Sequence, residues 1–180
     1  MLKSVNVLSR YGFKQVSTAN LLEVDDHPSY PSGLCGDQWV KECLRPQLDP
    51  GVPDEVAFLF ERARGSMIYG QFFLPLASLA TEEGFRVLEA GVRFRCKQLG
   101  MTNNKDEPDS IPDQPYAELV DTLHERRVIP KEDLDHWLSF VFLRNSFSHH
   151  KGTAIRRRHD AISQLSYIAE LLNHLFKEEL

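Results

Sequence analysis

Arg144 and Asn145, followed after three residues by His149 and then His150, are the residues of this chain whose types and spacing best suit chemistry. Histidine exchanges protons near neutral pH, and arginine carries a permanent planar cation with several donors. The group closes a strongly apolar stretch, Leu134 to Phe147, just before Gly152. On the helical period the inward stripe of that stretch is Leu134, Trp137 with Leu138, Val141, then Asn145 and Ser148 with His149. A stripe that should face a core therefore turns polar in its last two steps. Burying an amide and an imidazole costs free energy unless each finds a partner. These groups are either satisfied structural polars or the lining of a site. Asn145 and His149 are separated by roughly 40° on an ideal helix and share a face, whereas Arg144 and His149 are separated by roughly 140°. Within one chain Arg144 and His149 meet only if the helix frays or bends at Ser148. Two copies packed about a two-fold axis would pool both sets in one cleft.

On these residues the chain resembles the HEPN superfamily. Its signature is an Arg, four to six residues of any kind, then a His, often with a polar residue directly after the Arg. Here those are Arg144, Asn145 and His149, and His150 also falls inside the permitted spacing. Leu143-Arg144-Asn145-Ser146, an apolar helix before the His and an amphipathic helix after it supply the context. The resemblance covers roughly residues 55–178 and does not reach the first fifty.

The resemblance implies a metal-independent endoribonuclease, acting as a toxin or anti-phage defence effector, with no cofactor and no metal. RNA supplies the nucleophile, its own 2′-hydroxyl. The implied roles are Arg144 as phosphate clamp, His149 as acid/base and Asn145 as orienter of the imidazole or donor to the phosphate. His150 is a helper or a solvated residue. Many members place the site at a dimer interface, so a homodimer is expected, and an antitoxin or regulatory protein is a further implied partner. Some relatives paired with a nucleotidyltransferase antitoxin carry a Tyr two residues after the His. Lys151 stands there after His149 and Gly152 after His150, which weakens regulation by that route. The alternative is a non-catalytic HEPN-like helical module that binds a nucleotide, RNA or a protein partner. A plain structural bundle is the third reading. In it the histidine satisfies a helix C-terminus and Arg144 pairs with Glu82 or Glu83 across the bundle.

A second cluster adds to the first. Arg156, Arg157 and Arg158 open the last helix, close to Lys151. Cations there oppose the helix dipole, a misfit that a phosphate backbone would relieve; a solvated face is the bland equivalent. His150, Lys151, Arg156, Arg157 and Arg158 are thus the candidate RNA-binding residues.

The elements that must position these groups read as helices. From Asp54, a candidate cap, to Leu99 the sequence is almost continuously helix-compatible, and Pro75 should bend or split it. One helix is expected to about Gly70 and a second from about Gln71 to Leu99, with Phe85, Leu88, Val92 and Cys96 or Leu99 inward. Residues 100–114 read as a polar loop. A short helix follows from about Pro115 to Arg127, with Leu119, Val120 and Leu123 inward. Ile129-Pro130 leads into the signature helix, whose first turn holds Glu132, Asp133 and Asp135. Thr153 is placed to cap the last helix, with Ile155, Ile162, Leu165, Ala169, Leu172 and Phe176 as its stripe. The signature helix is apolar nearly all round from Trp137 to Leu143, so it needs cover on more than one side, from bundle neighbours or a second copy.

The expected architecture is all-α: an antiparallel bundle of four to five helices over residues 54–180, with an irregular N-terminal extension over 1–53. Within the extension, 1–24 has patches suited to a short hairpin, 25–53 has the proline and glycine content of a connector, and a short helix fits between Asp37 and Leu44. With 180 residues and 42% hydrophobic content the chain can bury a proper core. A formal net charge of −5 excludes a generally basic nucleic-acid coat, so any phosphate site is a local patch. Cys35, Cys43 and Cys96 form no CxxC pair and no zinc spacing, which reads as free thiols in a reducing, cytoplasmic setting. The start shows no basic-then-apolar leader pattern, so secretion is not expected, and the longest nearly apolar run, Met67 to Ala80, is too short for a membrane span.

Overall fold

The computed structural model describes residues 36–71, 75–101, 110–148 and 158–177; of residues 36, 75, 144–148 and 158–160 only the backbone is described. Among the described residues the protein is all-helical, with six helices and no strand. They are α1 (Gly36–Leu44), α2 (Asp54–Tyr69), α3 (Pro75–Gln98), α4 (Tyr116–Glu125), α5 (Lys131–Ser148) and α6 (Arg158–Leu175). The possible hairpin in 1–24 and the middle of the polar loop lie outside the described residues.

Helix α3 is the axis of the bundle and packs on α2, α4, α5 and α6. Its inward residues Phe85, Leu88, Val92 and Cys96 are all at most 4% exposed. Its approach to α6 is close, and two glycines permit it. A Cβ on Gly84 would fall on Ile168 Cδ1, and one on Gly91 on Leu172 Cδ2. Both of those partners are themselves buried, so neither has room to give way. The α6 stripe of Ile162, Leu165, Ala169, Leu172 and Phe176 is buried as its period predicts; Ile155 and Thr153 lie outside the described residues.

Two boundaries differ from the sequence expectation. α3 begins at Pro75 and not near Gln71. Proline suits the first helical position, where its missing N–H goes unused, and it disfavours helical backbone in the residue before it. Asp54 is not a cap: Pro53 holds the N-cap position of α2 with no side-chain hydrogen bond, and Asp54 and Glu55 contribute first-turn charge instead.

α1 sits on the ends of α2 and α6. Trp39, 1% exposed, donates its indole N–H to the carbonyls of Met67 and Ile68, both at 3.1 Å. Cys43 and Trp39 join Met67, Ala77, Ala80, Ala161 and Ile162 in a small second core. The link after α1 is also tied down. Arg64, 6% exposed, donates to the Pro46 carbonyl and pairs with Glu61 at 2.8 Å, and Asn173 bonds the backbone of Gln47 and Asp49.

Candidate functional site at the end of α5

An aromatic seam fixes α5 against its neighbours. Phe140 meets Phe85 of α3 edge-on at 5.9 Å and stacks on Tyr167 of α6 at 5.6 Å, and His136 approaches the Tyr167 ring at 6.1 Å. Burial pushes the Tyr167 hydroxyl pKa up, and the negative charges of Asp133 and Glu170 push the same way. Trp137, nearer the start of α5, borders the same groove as His174 and Leu175 near the end of α6. The two helices therefore run antiparallel. The end of α5 that carries Arg144 and Asn145 lies at the same end of the bundle as Arg158, the first residue of α6.

Burial along α5 sets its phase. Trp137 and Phe140 are 2% and 4% exposed, whereas Leu134, Leu138, Val141 and Leu143 are only half-buried and Phe142 is 73% exposed. Of the expected inward stripe, Trp137 is buried, whereas Leu134, Leu138 and Val141 are only half-buried, so the buried line is displaced around the helix towards Phe140. On an ideal helix position 144 falls within roughly 20° of Trp137 and position 145 roughly 80° from it. A helix that is apolar nearly all round gives periodicity no direction to report. Phe140, three residues after Trp137, was the available signal.

Of the other candidates, Arg158 is described by its backbone alone, and His149, His150, Lys151, Arg156 and Arg157 lie outside the described residues. Of the acidic pair of α3, Glu83 pairs with Arg62 of α2 and with Arg86 at 3.4 Å, and Glu82 is exposed.

The thiols Cys43 and Cys96 are free and buried. Burial pushes Cys43 up to about 12, with Arg64 opposing and Glu42 adding; burial pushes Cys96 up to about 11, with Arg126 and Arg93 opposing. Neither is a thiolate near neutrality, so neither is poised as a nucleophile. Among the described residues no group of three or more His, Cys, Asp or Glu is placed to hold a metal ion. No helix among them is long and apolar enough to cross a membrane. The chain matches no family model, no curated protein and no solved structure.

Proposed function

We propose that the chain is a HEPN-like metal-independent endoribonuclease, a toxin or anti-phage defence effector, that works as a homodimer. The observation that carries this reading is the Arg144-Asn145-x3-His149 pattern at the end of α5 in an all-helical bundle, on a helix with one uncovered apolar flank. That flank runs through half-buried Leu138 to Phe142, next to the position of Asn145. An exposed phenylalanine beside a partly buried leucine is a surface that a second copy would cover.

In this mechanism the 2′-oxygen of the substrate attacks the adjacent phosphorus as His149 takes its proton. The bond from phosphorus to the 5′-oxygen breaks, and a proton returns to that oxygen. The products are a cyclic phosphate and a free 5′-hydroxyl. Arg144 neutralises the charge that grows on the phosphoryl oxygens, and Asn145 holds the imidazole or donates to the phosphate. Each of these groups is metal-free chemistry, so cleavage should persist in chelator.

The test is to incubate the purified protein with a mixed RNA pool in excess chelator and to analyse the new ends. Fragments with cyclic phosphate and 5′-hydroxyl termini are expected. Intact RNA that nevertheless co-purifies or shifts in a gel would point to the non-catalytic binding module instead.

A further inference from the structure

The other end of the bundle holds a groove of about 1000 Å³ where the ends of α3, α4 and α6 meet the start of α5. Among the described residues five basic side chains line it, Arg95, Arg126, Arg127, His174 and Lys177, against one carboxylate, Asp133. The chain as a whole is acidic, at −5, so this concentration of cations is local.

Their pairing sets these cations apart. Arg45, Arg62, Arg64, Arg86 and Arg93, all outside the groove, each form an ion pair with a glutamate. Arg95, Arg126 and Arg127 form none among the described residues, nor does Lys177, and Asp133 across the groove neutralises none of them. Their neutral contacts are few. Arg126 donates to the Leu99 carbonyl at 3.0 Å and Arg95 to Gln98 Oε1 at 3.2 Å. Arg127 holds a positive φ of 64°, a conformation that costs free energy for a side chain of its kind, and it stays exposed.

Three helix C-termini converge here, and cations suit their dipoles. That accounts for Arg126, which caps a carbonyl. It does not account for Arg95 and Arg127, which have no acidic partner among the described residues, whereas the described arginines outside the groove are paired. The groove walls decide what kind of anion fits. Ile129, Trp137 and Leu175 are at most 2% exposed and Leu99 and Val128 are half-buried, while the exposed lining is Arg126, Arg127, His174 and Lys177 with one apolar residue, Pro130. Protein partners bind chiefly through apolar and aromatic anchors. Arginine forks match phosphate oxygens in planar pairs.

We propose that this groove binds the phosphate of a nucleotide unit, carried either by an RNA strand or by a free nucleotide. Asp133 and Trp137, which line it, precede Arg144 by about 16 Å and about 10 Å along α5 at 1.5 Å per residue. It is therefore separate from the Arg144 to His149 signature and does not require cleavage.

The test uses the full chain and a fluorescent 2′-O-methyl oligouridylate, whose blocked 2′-oxygen cannot attack. Binding is titrated against salt for wild type and for Arg127→Gln/Lys177→Gln, two exposed positions with no ion pair among the described residues. The double variant should melt like wild type and bind roughly tenfold or more weakly at low salt. Its slope of log affinity against log salt should fall by about 1.4, at about 0.7 for each phosphate contact on a single strand. Unlabelled ATP that displaces the strand would mark a free nucleotide as the ligand, and displacement by RNA alone would mark the strand; both support the proposal. Three outcomes overturn it: wild type binding neither probe, the double variant binding as wild type does, or polyglutamate displacing the strand as well as RNA does. Cleavage of ordinary RNA by the same preparations is read separately, so loss of this proposal leaves the catalytic one standing.

Discussion

The two ends of α5 sit in different surroundings. Near its start, Trp137 is 2% exposed and lies with Ile129 and Leu175, which are 1% and 2% exposed, at a junction of four helices. Towards its end, Val141 and Leu143 are half-buried and Phe142 is 73% exposed. The same apolar composition is spent on the core at one end and left on the surface at the other. The charges divide too: cations with no ion pair among the described residues ring the buried end, and the proposed catalytic signature follows the uncovered one. One end of the helix is held by the fold, and the other is available to be completed from outside.

The largest expected effect breaks or upholds that contrast directly. Trp137→Ala should cost about 3–5 kcal/mol of stability, as for truncation of a large buried aromatic. In the dissociated monomer, Phe142→Ala should change it by less than about 0.5 kcal/mol, because a surface side chain has little to lose. Denaturant melts of both variants at low concentration check this. Comparable losses in the monomer would mean that Phe142 is covered within its own chain and that the two ends do not differ.

The next effect concerns assembly. If a second copy covers the Leu138–Phe142 flank, wild type should scatter light as a dimer at micromolar concentration. Phe142→Asp should then shift it to monomer with little change in unfolding midpoint at low concentration. A monomeric wild type would remove the dimer from the account.

The smallest effect compares the two buried thiols, one at each end of the bundle. Both have pKa values raised above the ordinary thiol, Cys43 to about 12 and Cys96 to about 11. A raised pKa means that folding favours the protonated form. The stability it contributes is complete below about pH 9 and is lost as the pH rises towards 11 and 12. Stability of wild type should therefore fall above pH 9, and a Cys43→Ala/Cys96→Ala variant should fall less steeply from its own lower starting point. Equal alkaline slopes would show that these thiols titrate alike in the folded and unfolded chain.

What the sequence made legible follows from how its residues alternate. In α3 and α6 polar residues separate the apolar ones, so Phe85, Leu88, Val92 and Cys96, and Leu165, Ala169 and Leu172, announced their faces and are buried. In α5 apolar residues surround the helix, so its existence was plain and its rotation was not; Phe140, outside the expected stripe, is 4% exposed. The short helix at α1 was visible, but its attachment through the Trp39 indole to carbonyls nearly thirty residues away was not. The cationic groove was illegible for the same reason. Arg95, Arg126, Arg127 and Lys177 come from separate segments and meet only after packing. The signature itself was legible as a pattern, and its chemistry is a matter for experiment on the residues.

That experiment is RNA cleavage and thermal melting on the same preparation of His149→Ala, with His150→Ala beside it. The account predicts that His149→Ala folds and melts near wild type, still binds RNA, and loses cleavage by about 10² or more, the usual scale for a general acid/base. Full cleavage by both single variants at equal folded concentration would contradict the catalytic reading.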